Sequence, residues 1–144
     1  MSEAEAKSAE VKPAADDTIF RSVGIGVSDL QKSADFYSRV CGMKQVGTIT
    51  LDYMDEIILA YPADNFARGS RLVLMHWKDG SKRDYKNLPV KVVLQVKDAK
   101  AAVDRIRAEG LEVMREPTKS KASGNIVAFG KDPDGYMIEL LQPA

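Results

Sequence analysis

No apolar run in this chain approaches the ~20 residues that a membrane-spanning helix requires. One cysteine, Cys41, excludes an intrachain disulfide, and with no net charge from 21 basic and 21 acidic residues there is no broad basic field for a phosphate backbone. One histidine, His76, leaves little material for an imidazole-rich metal centre. Neither a P-loop, a G-x-G-x-x-G turn after a strand nor a G-x-S-x-G elbow occurs, so nucleotide-cofactor and serine-hydrolase chemistry have no support. Nucleic acid and membrane are therefore not expected partners, and the expected setting is a reducing, cytoplasmic one.

What is present is an ordinary globular composition, 44% hydrophobic and 29% charged over 144 residues, enough for one compact unit or two small similar halves. The first 17 residues hold five acids, two lysines and five alanines, with no aromatic. They cannot bury enough to offset chain entropy and are expected to be a disordered tail lacking secretory-signal features. A single domain is expected over residues 18–144.

Residues 20–27 alternate, with Val23, Ile25 and Val27 on one side and Ser22, Gly24 and Gly26 on the other, as in a half-buried strand. Ser28 with Gln31 reads as a capping box, and Leu30, Ala34, Tyr37 and Cys41 follow at helical spacing before Gly42. Strands follow at about 43–51, 56–61 and 70–77, with a turn at Asp52 to Asp55 and a loop over 62–69. The pattern then restarts. Val90, Val92, Leu94 and Val96 alternate with Lys91, Val93 and Gln95; Asp98 caps a second helix ending at Gly110; strands follow at about 112–117, 124–130 and 136–142. An offset of 69 residues pairs Val23 with Val92, Asp29 with Asp98 and Asp35 with Asp104, and one of 68 pairs Gly42 with Gly110. These coincidences argue for an internal duplication: module 1 at about 19–77, a linker over 78–89 and module 2 at about 90–142. The class is α+β, two βαβββ modules. Helices cover one face of each sheet, so Ser22, Gly24, Gly26, Lys91, Val93 and Gln95 belong to the opposite, concave face, where small residues leave room for a ligand.

The segments IGVSDLQKSADFYSRVCGMK and AFGKDPDGYMIELL resemble the opening and closing signatures of the vicinal oxygen chelate superfamily. That superfamily includes glyoxalase I, methylmalonyl-CoA epimerase, extradiol dioxygenases and the bleomycin and fosfomycin resistance proteins. The resemblance spans about residues 19–142 and implies curved mixed sheets forming a cup, commonly completed across a homodimer. It also implies a divalent metal held by two histidines and two glutamates. Matched residue by residue, those positions fall on Ser22, Lys91, Leu72 and Glu139, and only Glu139 is a strong ligand. One carboxylate cannot hold a catalytic ion that needs about three protein ligands, so no metal or other cofactor is expected there. His76 stands four residues beyond Leu72, roughly 13 Å at about 3.3 Å per residue, too far to complete such a sphere.

The catalytic candidates are Glu139, as a proton-transferring base, and Lys91, as a fixed cation where a metal would lie. Ser22, Leu72, His76, Gln95 and Trp77 are candidates for lining a substrate. Lysines and Arg83 near the linker, with Lys119 and Lys121, offer attraction to an anionic substrate tail, although such runs are more often solvated. Cys41 on an apolar stripe reads as an inert thiol. The leading function is a metal-independent glyoxalase-like enzyme, of lyase or isomerase type, acting on a small carbonyl or enolisable compound. The alternatives are a small-molecule sequestration protein of the bleomycin-resistance type, a metal-dependent lyase, isomerase or dioxygenase using other ligands, or an accessory domain whose cup is filled by its own side chains.

Overall fold

The computed structural model describes residues 20–62, 70–85 and 90–144. The tail expected over residues 1–17, most of the 62–69 loop and residues 86–89 of the expected linker lie outside them. The first half runs β1 (Ser22–Gly26), α1 (Leu30–Arg39), β2 (Lys44–Thr50), β3 (Met54–Ala60) and β4 (Arg71–Trp77). The second repeats it as β5 (Lys91–Gln95), α2 (Ala99–Ala108), β6 (Val113–Lys119), β7 (Ile126–Lys131) and β8 (Met137–Gln142). Each half makes one mixed four-stranded sheet, ordered β1-β4-β3-β2 and β5-β8-β7-β6. In each, the first strand runs parallel to the last and the other pairs are antiparallel.

The two strand-to-helix passages are built alike. Asp29 and Asp98 both have extended backbone, and their side chains accept from the amides of Lys32 and Ala101. Each satisfies an amide that the first helical turn leaves without a partner. The cap is thus Asp29 and not Ser28, whose own amide donates instead to Asp134 Oδ2 across 3.1 Å. Gly42 and Gly110 follow the helices at φ of +73° and +75°, where a side chain would clash. Cys41 lies just beyond the helical cap at Val40.

One apolar cluster joins both modules. Ile25, Val27, Leu72 and Leu74 pack with Ala34, Phe36 and Tyr37 of α1, while Leu94, Ile138 and Leu140 pack with Ala102, Val103 and Ile106 of α2. Each such side chain contributes about 1.5–3 kcal/mol when fully removed from water. The seam is pinned by polar bonds placed at one end of the molecule. Tyr37 donates to Asp132 Oδ2 at 2.9 Å, Tyr136 donates to the Gly26 carbonyl at 2.7 Å, and Arg39 grips Glu109 through two bonds of 3.0 Å. Asp132 is only 2% exposed, yet its other oxygen accepts from the amides of Asp134 and Tyr136. The Asp132 to Gly135 turn therefore does two jobs: with Gly135 at φ +94° it launches β8, and it fastens module 2 to α1. Among the described residues no helix is long and apolar enough to cross a membrane.

Candidate active face

Pleating decides which side chains can meet. Ile25, Leu72 and Leu74 face the helix, so Ser22, Gly24 and Gly26 face away, together with Val73, Met75 and Trp77 of β4. In module 2 the same face carries Lys91, Val93 and Gln95, with Met137, Glu139 and Leu141 of β8 alongside. Glycine serves β1 directly: a Cβ on Gly24 would stand 3.1 Å from the Met75 side chain and one on Gly26 3.0 Å from the Trp77 ring. Arg83 lies over that ring with its guanidinium carbon 4.0 Å from the centroid, a favourable stacking of cation on π-face.

Lys91 and Glu139 do come together. Lys91 Nζ is 3.1 Å from Glu139 Oε2, with the lysine side chain 52% exposed and the glutamate 14%. Glu139 pairs in register with Val93 on one side and Phe129 on the other, so an apolar strip flanks the carboxylate while the ammonium reaches water. Half in solvent, this ion pair is worth on the order of 0–1 kcal/mol to stability. Gln95 lies on the same face, exposed, beyond Val93.

Other candidates are placed elsewhere. Leu72 is 3% exposed and sits on the helix-packed face beside Ile25, so it cannot line the open face. The position equivalent to Glu139 is instead Val73: Glu139 pairs with Val93 and Val73 pairs with Gly24, the repeat partner of Val93. His76 shares the parity of Leu72, and its Nδ1 is bound to the Val27 carbonyl at 3.0 Å. It is a half-buried brace behind the sheet rather than a rim group. Ser22 stands on the open face of module 1 and Trp77 further along it, partly buried.

Two hollows accompany these faces. The smaller, about 250 Å³, is the open face of module 1, with Ser22, Val73, Ile58 and Val46 around the Arg71 side chain. The larger, about 410 Å³, lies between the modules and includes Lys91 and Arg71 but neither Ser22 nor Glu139. Ser22 and Glu139 thus line no common hollow within the chain. Sequence reasoning missed Arg71, which lines both spaces and is 8% exposed. Burial pushes the Cys41 thiol up to about 12, outweighing nearby Arg105, so it stays protonated and unreactive at neutral pH.

The equivalent positions Ser22, Val73, Lys91 and Glu139 offer a hydroxyl, an aliphatic chain, an ammonium and one carboxylate. This donor set does not fit a divalent ion, because the ammonium repels it and only one strong oxygen ligand remains. Among the described residues no three His, Cys, Asp or Glu side chains cluster so as to hold a metal.

Comparison with known proteins agrees with this architecture. The family model described as Glyoxalase/Bleomycin resistance protein/Dioxygenase superfamily matches residues 19–140. A lactoylglutathione lyase of Neisseria meningitidis is 35% identical over 118 residues, covering 81% of this chain and 84% of that protein. A probable lactoylglutathione lyase of Synechocystis is 36% identical over 120 residues, covering 82% and 90%. Among solved structures, the trypanothione-dependent glyoxalase I of Leishmania major superposes with a TM-score of 0.74 at 26% identity, covering 88% of this chain and 87% of that one. With a duplicated βαβββ core, the D-P-D-G-Y turn fastening it and relatives above 30% identity along most of its length, this chain belongs to the glyoxalase/bleomycin resistance/dioxygenase superfamily.

Proposed function

We propose that this chain is a glyoxalase-like enzyme that moves a proton on a small enolisable carbonyl compound, with Glu139 as the base and Lys91 as the fixed positive charge beside it. The observation that carries this reading is the 3.1 Å pairing of an ammonium with a carboxylate that is only 14% exposed, on the face that the helices leave open. A carboxylate there accepts a proton from the carbon next to a carbonyl, the electron pair moves onto the carbonyl oxygen, and the ammonium stabilises the resulting enolate. Returning the proton to the neighbouring carbon completes an isomerisation with no net change in oxidation level. The name of the Neisseria and Synechocystis relatives directs the first substrates to try: hemithioacetals formed from a thiol and a 2-oxoaldehyde.

In this proposal no divalent ion sits at the four equivalent positions, because their side chains do not suit one. The chain acts as one domain over residues 18–144, and the face is completed by a second copy. Val93 is 49% exposed on that face, and Val46 and Ile49 are also exposed. Since β1 and β5 both end their sheets, each also leaves a strand edge unpaired within the chain. Ser22, Gln95 and Trp77 are proposed to line the completed cup.

The test is turnover of a panel of hemithioacetals by chelator-treated protein, with Glu139→Gln and Lys91→Met assayed beside it. The reading expects activity that survives the chelator and falls roughly a hundred- to ten-thousand-fold in Glu139→Gln. Activity abolished by the chelator and restored by a divalent ion overturns metal independence. Saturable binding with no turnover by any panel member assigns the protein to sequestration instead.

A further inference from the structure

The polar bonds that join the modules are gathered at one end: Tyr136 holds the Gly26 carbonyl at the C-terminal end of β1, and Ser28 meets Asp134 just beyond it. Toward the opposite ends of β1 and β5 the same facing surfaces separate. Ile25 and Leu94, midway along, are buried, whereas Val23 is 46% exposed and Val90 40%. The seam is therefore a wedge, closed at the Asp132 turn and open where β1, β4 and β5 begin. The 410 Å³ space between the modules occupies that wedge, with β1 and β4 supplying one wall, β5 the other, and Tyr61 bordering it. Its walls are almost entirely aliphatic, and its two cationic side chains, Arg71 and Lys91, stand at the strand starts.

We propose that this wedge is a second ligand site, separate from the open sheet faces, that takes an anionic amphiphile: an aliphatic chain lying between β1 and β5, with its carboxylate toward Arg71 and Lys91. The chemistry follows from the lining. Aliphatic walls with a single ring favour a flexible saturated chain over a stacked aromatic, and cations at the strand starts favour an anion over an alcohol or amine. At a liquid-like filling of about 0.5 to 0.6 the space holds roughly ten carbons with a carboxylate. The wedge does not depend on turnover at Glu139, which is absent from its lining.

The probes are straight-chain carboxylates from butanoate to tetradecanoate, with decanol as the uncharged control, titrated by calorimetry. Affinity should tighten roughly fourfold per methylene up to about decanoate and then level off, and decanol should bind at least tenfold more weakly than decanoate. Val23→Trp fills the open mouth at a half-exposed position, so the fold survives, as circular dichroism would verify, while decanoate binding is lost. Arg71→Leu should remove the preference for decanoate over decanol. Equal binding of decanoate and decanol by the parent protein, an affinity indifferent to chain length, or undiminished binding by a folded Val23→Trp overturns the proposal. If Val23→Trp instead converts a dimer to a monomer and no carboxylate binds the parent protein, a second copy occupies the wedge and the proposal fails.

Discussion

Tyr37→Phe removes a single oxygen from the seam between the modules, and its cost depends on pH in a direction the structure fixes. Tyr37 donates to Asp132 across 2.9 Å, and both side chains are almost wholly buried. Desolvation by burial is the strongest influence on Asp132 and holds its carboxyl above the usual range; bonds from the Tyr136 amide, the Tyr37 hydroxyl and the Asp134 amide pull against it. The sign follows. An acid whose folded pKa is raised gives its full stabilisation below the unfolded value of about 3.9 and loses it as pH climbs through the folded value. Removing the Tyr37 hydroxyl takes away one of the bonds favouring the ionised form, so the folded pKa rises further and the variant loses more than the parent as pH increases. The substitution should cost about 0.5–1.5 kcal/mol while Asp132 is protonated and the bond is neutral, and about 1.5–3 kcal/mol once it is ionised. Urea denaturation of both proteins between pH 4 and 8 measures this, because titrations common to the two cancel in the difference. A difference that is flat or shrinks with pH would refute the reasoning.

Asp29→Ala and Asp98→Ala each delete a helix cap and should each cost ~1 kcal/mol in chemical denaturation, with near-additive effects because they serve different helices. Ser28→Ala leaves both caps intact and should cost little by the same assay. Native protein at pH 8 should alkylate at Cys41 far more slowly than protein in denaturant, since burial pushes that thiol up to about 12; equal rates measured with a thiol reagent would contradict its placement.

The architecture was readable because several local signals agree with one another. Alternation in β1 and β5, aspartate caps at Asp29 and Asp98 and closing glycines at Gly42 and Gly110 recur at one spacing, and the structure realises all of them. The cap itself was misplaced by one residue, since Ser28 and Asp29 both offer a suitable oxygen and only geometry selects between them. The phase of β4 was harder. In Arg71 to Trp77 both alternating sets are largely apolar, Leu72 and Leu74 against Val73, Met75 and Trp77, so the sequence carries no contrast from which to assign faces. Parallel pairing with β1 sets that phase, placing Leu72 and His76 behind the sheet and Val73 on its open face. Strand β8 was easier because Glu139 interrupts its apolar positions and marks its face. Arg71 went unnoticed since nothing in a sequence distinguishes a buried arginine at a strand start from a solvated one. How the modules lie against each other, and hence the wedge between them, depends on contacts between residues about 70 to 110 apart, such as Arg39 with Glu109 and Tyr136 with Gly26.

The account rests on Lys91 and Glu139 acting as one unit on the open face, and a double-mutant cycle on kcat/KM addresses that most directly. Groups that serve the same transition state are strongly non-additive. Lys91→Met and Glu139→Gln should each lower kcat/KM at least a hundredfold, and the double variant should be little worse than the poorer single one. Unchanged turnover in either variant, or losses that simply multiply, would contradict it.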